Sequence, residues 1–280
     1  MKNIETTLDV SAAYPLSEIK KLSGRLSYIN VLAAKIRENG EAGFEDSEIP
    51  KAAVGFGVMP LVTVRCASPA AAHALFSEHG EEFTEKLLTY TEKGGYKGVN
   101  FSFLRVFPFE RENYTLFLKK CADVLHARGL LAGSIVPPPC ALSFAAANDY
   151  AAQGEFLDRV NFLLSDCLYR KESLKRRLSD DLISETLAFA RDTVPSPKLS
   201  VTLADHGLVR MGEGEVQTVP CALARSLRRD SAEYDDEKSY EKLFDTVAAH
   251  GVTNICVRPV GRADKLIFEV LTRKFDIIRV

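Results

Sequence analysis

The chain has 280 residues, 46% of them hydrophobic and 26% charged, with 36 Lys and Arg against 38 Asp and Glu. That length and balance suit one α/β domain large enough to bury a sizeable core. A formal charge of −2 offers no basic field for nucleic acid or an anionic membrane surface, so neither is expected as a partner.

No run approaches the roughly 18 apolar residues of a membrane span. Met1 to Val10 carries acidic and polar residues where a signal peptide would be apolar, so the expected location is cytoplasmic. The six cysteines (Cys66, Cys121, Cys140, Cys167, Cys221 and Cys256) are scattered and contain no CxxC pair. They read as free thiols, most of them in the core, and not as a disulfide framework or metal site. The five histidines (His73, His79, His126, His206 and His250) lack metal-ligand spacing, and no phosphate loop or GxSxG elbow is present. No metal or cofactor is expected.

In chain order, short apolar runs alternate with amphipathic stretches, the pattern of βα units and a parallel sheet. Strands are predicted at 7–12, 26–32, 58–64, 98–103, 130–135, 159–164, 198–203 and 253–257. Helices are predicted at 80–93, 111–128, 178–193, 237–250 and 266–274. In the second of these, Tyr114, Phe117, Leu118, Cys121, Val124 and Leu125 form one apolar stripe. Gly129 and Gly251 stand where a C′ glycine ends a helix. His126 and His250 fall in last turns, where a cation is favoured. Pro137 to Pro139 follow the fifth strand and stiffen a loop. Residues 207–231, with Gly212, Gly214 and Pro220, read as an irregular insertion after the seventh strand.

Eight strands with intervening helices predict a single-domain (β/α)8 TIM barrel over residues 1–280. A doubly wound open sheet is the alternative, and it lacks a GxGxxG after its first strand. In a barrel, loops at the C-terminal ends of the strands carry function.

The segment Lys93-Gly-Gly-Tyr-Lys-Gly-Val-Asn-Phe-Ser-Phe-Leu104, followed by Phe109-Glu-Arg-Glu-Asn-Tyr-Thr-Leu-Phe-Leu118, resembles the fourth strand and next helix of glycoside hydrolase family 18. The branch it resembles is that of bacterial spore-germination and cortex-lytic N-acetylglucosaminidases. Their pattern is Gly-Tyr-x-Gly-Val-Asn-hydrophobic-Asp-Phe-Glu. Asp158 to Asp166 resembles the family's sixth strand, Lys198 to Gly207 its seventh, and 234–261 its terminal helix and eighth strand. The order and spacing of these segments carry the resemblance, which is weakest before Pro60.

The resemblance implies substrate-assisted hydrolysis of β-linked N-acetylglucosamine. A glutamic acid protonates the leaving oxygen, and an aspartate two residues earlier orients the acetamido group that attacks. Strand alternation puts both on one inward face. Here those positions hold Ser102 and Leu104. Leucine has no proton to give, and general acid catalysis is typically worth about 10²–10⁴-fold. Glu110 and Glu112 are the nearest acids, and Glu110 reads as a helix cap before it reads as a substitute acid. The family's sixth-strand Tyr is Ser165, its seventh-strand Tyr is His206 and its stacking Trp is Arg258. Asp166 is retained.

The expected site is therefore a hydrolytically degenerate one. The candidate binding residues are Asp166, His206, Arg258, Arg65, Arg105, Asn100 and Ser165. Arg65, Arg105 and Arg258 fall at or beyond the ends of strands three, four and eight, which surround one mouth and suit an anion. The bland alternative pairs these arginines with Asp166, Asp205 or solvent. The expected function is a catalytically inactive barrel binding a glycan or an anionic small ligand. An active glycosidase using another acid is the second reading. A structural barrel with a protein partner in sporulation, associated with the spore, is the third.

Overall fold

A computed structural model describes residues 2–66, 68–141, 145–164, 178–211, 215–227 and 231–280. The strands are β1 (Lys2–Ser11), β2 (Tyr28–Ile36), β3 (Ala42–Phe44), β4 (Met59–Cys66), β5 (Gly98–Phe103), β6 (Leu131–Val136), β7 (Arg159–Leu163), β8 (Leu199–Met211), β9 (Glu215–Pro220), β10 (Ala232–Glu233), β11 (Asn254–Pro259) and β12 (Phe275–Ile277). The helices are α1 (Leu16–Leu22), α2 (Ile49–Gly55), α3 (Pro69–Ala74), α4 (Gly80–Gly94), α5 (Arg111–His126), α6 (Tyr150–Phe156), α7 (Asp180–Thr193), α8 (Cys221–Arg225), α9 (Glu237–Ala249) and α10 (Lys265–Lys274).

Strands β1, β2, β4, β5, β6, β7, β8 and β11 pair in parallel in that order, and β11 returns to β1 through Thr7 opposite Cys256. The sheet closes, and the fold is a (β/α)8 barrel. Each of the eight predicted strands overlaps one of these eight, with ends that differ by one or more residues in all but β5. The open-sheet alternative fails because both edges of the sheet are paired to each other.

Outward side chains of β5 meet α5. Phe103 stacks on Tyr114 at 5.8 Å and Phe101 meets Phe117 edge-on at 6.3 Å. All four rings are buried, and each such burial contributes roughly 1.5–3 kcal/mol. This packing fixes the rotation of β5, so that Asn100 and Ser102 turn inward.

The barrel interior is polar. Asn100 Nδ2 donates to Asn30 Oδ1 at 2.8 Å, Ser200 Oγ to Asn254 Oδ1 at 2.7 Å, Asn254 Nδ2 to Thr7 Oγ1 at 3.0 Å and Thr202 Oγ1 to Asn161 Oδ1 at 2.8 Å. Branched aliphatic layers are the usual filling of such barrels. Amides and hydroxyls substitute here because they satisfy one another across strands.

The helix ends follow the sequence signals, with Gly129 and Gly251 at positive φ after α5 and α9. The prediction for residues 207–231 is corrected. β8 runs on to Met211 and pairs antiparallel with β9 and β10. A small core of Val209, Ala224 and Ala232 holds α8 against them. Alternation in Leu208-Val-Arg-Met and Val216-Gln-Thr-Val suffices to extend the strands. His250 is also corrected as a helix-end cation, because burial and then Arg191 lower its pKa. His126 instead meets Asp158 Oδ2 at 2.9 Å.

Cys66, Cys121, Cys221 and Cys256 are buried free thiols, and Cys140 is exposed. Burial pushes Cys66, Cys121 and Cys256 up to about 12. Cys167 lies outside the described residues. Among the described residues no helix is long and apolar enough to cross a membrane.

Candidate functional site

A cavity of about 850 Å³ opens at the C-terminal end of the barrel, the end at which such folds place their sites. Strand β5 brings Ser102 to its wall, and Leu104 follows just past the strand end. Ser102 stands in register with Arg65 on β4, so the hydroxyl and the guanidinium start from adjacent points on the wall. Arg105, Arg258 and His206 line the same cavity. The structure thus brings together Ser102, Leu104, Arg65, Arg105, Arg258 and His206 from four segments.

Asn100 is placed elsewhere. It is buried one inward step below Ser102, is spent on Asn30, and does not line the cavity. Ser165 and Asp166 lie outside the described residues. Glu110 also leaves the site. It occupies the N-cap position of α5, as the helix-cap reading expected, but its side chain makes no capping bond. The carboxylate is buried, meets His73 Nδ1 and accepts from Asn113 Nδ2 at 2.7 Å.

Four further wall residues went unnoticed in the sequence. Asp9 ends the inward face of β1, and its Oδ2 accepts from Arg258 Nε at 2.5 Å. For Arg258 the structure shows this bond to Asp9 across β1 and β11, and Asp166, one of the partners expected for the arginines, lies outside the described residues. Arg262 follows β11 and reaches Glu18 at 3.9 Å with a side chain 74% exposed, so that pair is weak. Tyr14 is the one Phe, Tyr or Trp among the described wall residues. Burial raises its pKa, and its hydroxyl oxygen accepts the Ala263 N–H at 3.0 Å, so it stands there as a neutral phenol. Thr63 sits on β4 two residues before Arg65. It is 2% exposed, and its hydroxyl has no hydrogen-bond partner among the described residues.

The described wall therefore carries four arginines, one histidine, one acid and one tyrosine, with no Phe or Trp. Behind it, Asp205, Cys221 and Asp264 converge with ligand atoms within 4.8 Å of one another. This trio resembles a metal set, yet Arg225 donates to Asp264 and, at 3.5 Å, to Cys221. A guanidinium already supplies the positive charge that the carboxylates require.

No family model matches the sequence. Over 121 residues the chain is 26% identical to the cortical fragment-lytic enzyme of Bacillus anthracis, a stretch covering 42% of this chain and 28% of that protein. The fold is shared end to end with solved structures. The spore cortex-lytic enzyme of Bacillus megaterium superposes with a TM-score of 0.87 over 100% of this chain and 76% of that one, at 15% identity. A glycoside hydrolase family 18 N-acetylglucosaminidase from Paenibacillus barengoltzii does so with a TM-score of 0.78 over 97% and 99%, also at 15% identity. The architecture is the (β/α)8 barrel that these solved structures share.

Proposed function

We propose that this chain is a family 18-like barrel that binds a glycan at its mouth without hydrolysing it. The observation that carries the reading is the pair Ser102 and Leu104. Both line the cavity, at the strand end where the resemblance requires an aspartate and a proton-donating glutamate. The one acid on the described wall, Asp9, is committed to Arg258. Without a positioned acid the leaving oxygen departs as an alkoxide, and about 10²–10⁴-fold of rate is lost from that step alone.

A cavity of about 850 Å³ falls within the range of small-ligand sites, so the loss of catalysis leaves a receptor. The cortex-lytic and N-acetylglucosaminidase neighbours support N-acetylglucosamine-containing glycan as the ligand class, spore peptidoglycan as its source and a spore-associated role.

The test is turnover and binding of chitooligosaccharides and cortex fragments by the wild type. The Ser102→Asp, Leu104→Glu double variant is assayed beside it. Saturable binding without product is expected from the wild type. Product released by the wild type overturns the reading and makes the chain a hydrolase with another acid. Neither product nor binding transfers the role to a protein partner.

A further inference from the structure

The chain is slightly acidic, with 38 acidic against 36 basic residues. Its mouth is the opposite. The described wall holds Arg65, Arg105, Arg258 and Arg262 against Asp9 alone, and no lysine. A concave surface with walls of low dielectric concentrates the field of such a cluster. Guanidinium is planar, permanently charged and forked to match a carboxylate or a phosphate.

The arginines differ in what holds them. Arg258 is only 30% exposed at its side chain and is oriented by Asp9, so it is fixed low in the mouth. Arg65 is exposed, and no ion pair involving it is found among the described residues. Beneath it, Thr63 lines the cavity with a buried hydroxyl that has no hydrogen-bond partner among the described residues. A buried polar group left unmatched costs on the order of 1–3 kcal/mol, and a ligand oxygen would satisfy it. Ser102, in register with Arg65, adds a second hydroxyl on the neighbouring strand. Hydroxyls low on the wall and guanidinium groups above them suit a sugar ring that carries a charged substituent.

Resting on the glycan-binding reading above, we propose that the mouth selects an acidic saccharide. Its carboxylate or phosphate meets Arg65, Arg105 and Arg258, and its ring oxygens meet Thr63 and Ser102. The anion takes over part of the binding that aromatic stacking gives in sugar sites, and this wall has only Tyr14 for stacking.

The experiment is calorimetric titration of the full chain with N-acetylmuramic acid, N-acetylglucosamine 6-phosphate, N-acetylglucosamine and inorganic phosphate, at low and high salt. At least one acidic sugar is expected to bind tenfold or more tighter than the neutral sugar, with the preference shrinking as salt rises. Which one binds separates a carboxylate ligand from a phosphate ligand. Arg65→Gln, at an exposed position that leaves the fold intact, is expected to remove most of the preference. Thr63→Val, which keeps the shape, is expected to weaken the acidic sugar severalfold and leave inorganic phosphate unchanged. Equal affinity for neutral and acidic sugars overturns the inference and leaves glycan binding standing. Inorganic phosphate binding as tightly as the sugar phosphate overturns the saccharide part. No binding of any sugar removes both readings.

Discussion

Replacing Gly207 by alanine probes how the mouth is built, because Gly207 lies on β8 between His206 and the hairpin. A Cβ placed there would come within 2.0 Å of Ala224 Cβ, with Glu233 O at 3.2 Å and Ala224 Cα at 3.5 Å. Carbon atoms pack at about 3.5–4.0 Å, so α8 must move outward by roughly 1.5 Å or more. Both carbons are bonded directly to backbone, and no rotamer relieves the overlap. Overpacking of this kind costs about 1–3 kcal/mol. Ala224→Gly removes the opposing methyl. Alone it costs about 1–2 kcal/mol, from helix propensity and the lost buried methyl. In the double variant the overlap is gone, and the total returns to about 1–2 kcal/mol in place of the sum. Thermal unfolding of the four proteins reads this as a cycle, at roughly 2–4 °C per kcal/mol. Because Thr218 on β9 faces Leu208 and lines the cavity with His206, ligand affinity should fall in Gly207→Ala and recover in the double variant. Additive losses would show that α8 is not seated on β8 and would refute the reasoning.

Arg159 stands at the opposite end of the barrel, 2.6 Å from Glu5 and 3.8 Å over the Tyr28 ring. The pair keeps 14% and 21% exposure, so Arg159→Ala should cost less than a fully buried break, about 2–3 kcal/mol by denaturant titration, with ligand affinity at the mouth unchanged. Asp149 caps α6 through Ala152 N and accepts from Arg111, and these bonds hold its carboxyl below its ordinary value of 3.8. A depressed folded value means stability that is present above the ordinary value and is lost as pH falls through the folded one. Asp149→Ala should therefore cost about 1 kcal/mol near neutrality, the solvent-screened Arg111 pair adding little, and the gap from wild type should close as pH drops below the ordinary carboxylate range. The Ser102→Asp, Leu104→Glu variant should stay silent in glycan turnover, whereas the same variant with Arg65→Gln and Arg105→Gln should release product if the carboxylates are the missing element. Product from the two-site variant alone would show that the arginines do not control an acid at that strand end.

Much of this architecture was legible because its strands are apolar runs set between turn residues and its long helices carry a full stripe. The short helices α1, α2, α3 and α6 were not. Six or seven residues hold fewer than two turns, too few for a 3.6-residue period to show. The hairpin of β8 and β9 was masked by Gly212, Gly214 and Pro220, which outweighed an alternation only four residues long. Arg65, Arg105 and Arg258 were found from their places at strand ends. Arg262, four residues beyond Arg258, fits the same logic. Thr63 was within reach as well, since alternation puts it on the face of Arg65. Asp9 was not, because its meaning depends on β1 and β11 meeting across the closure of the barrel, and that closure joins residues 249 positions apart.

The inward face of β5 links the fold to the proposed chemistry. Asn100 is spent on the interior network, Ser102 offers a hydroxyl at the cavity wall, and Leu104 closes the face with an aliphatic group. The neighbouring strand presents Thr63 and Arg65 to the same cavity. The charges on the two strands bear on one another. A catalytic acid must hold its proton near neutral pH, which burial and nearby negative charge promote and nearby positive charge opposes. A glutamate at position 104 alone would share its wall with Arg65 and Arg105 and would stand there as an ionised carboxylate, an ion-pair partner more than a proton donor. Arginines that attract an anionic ligand are thus incompatible with the acid that hydrolysis requires. On that physical ground, the absence of an acid at position 104 and the proposed binding of an acidic saccharide are two sides of one reading of this mouth.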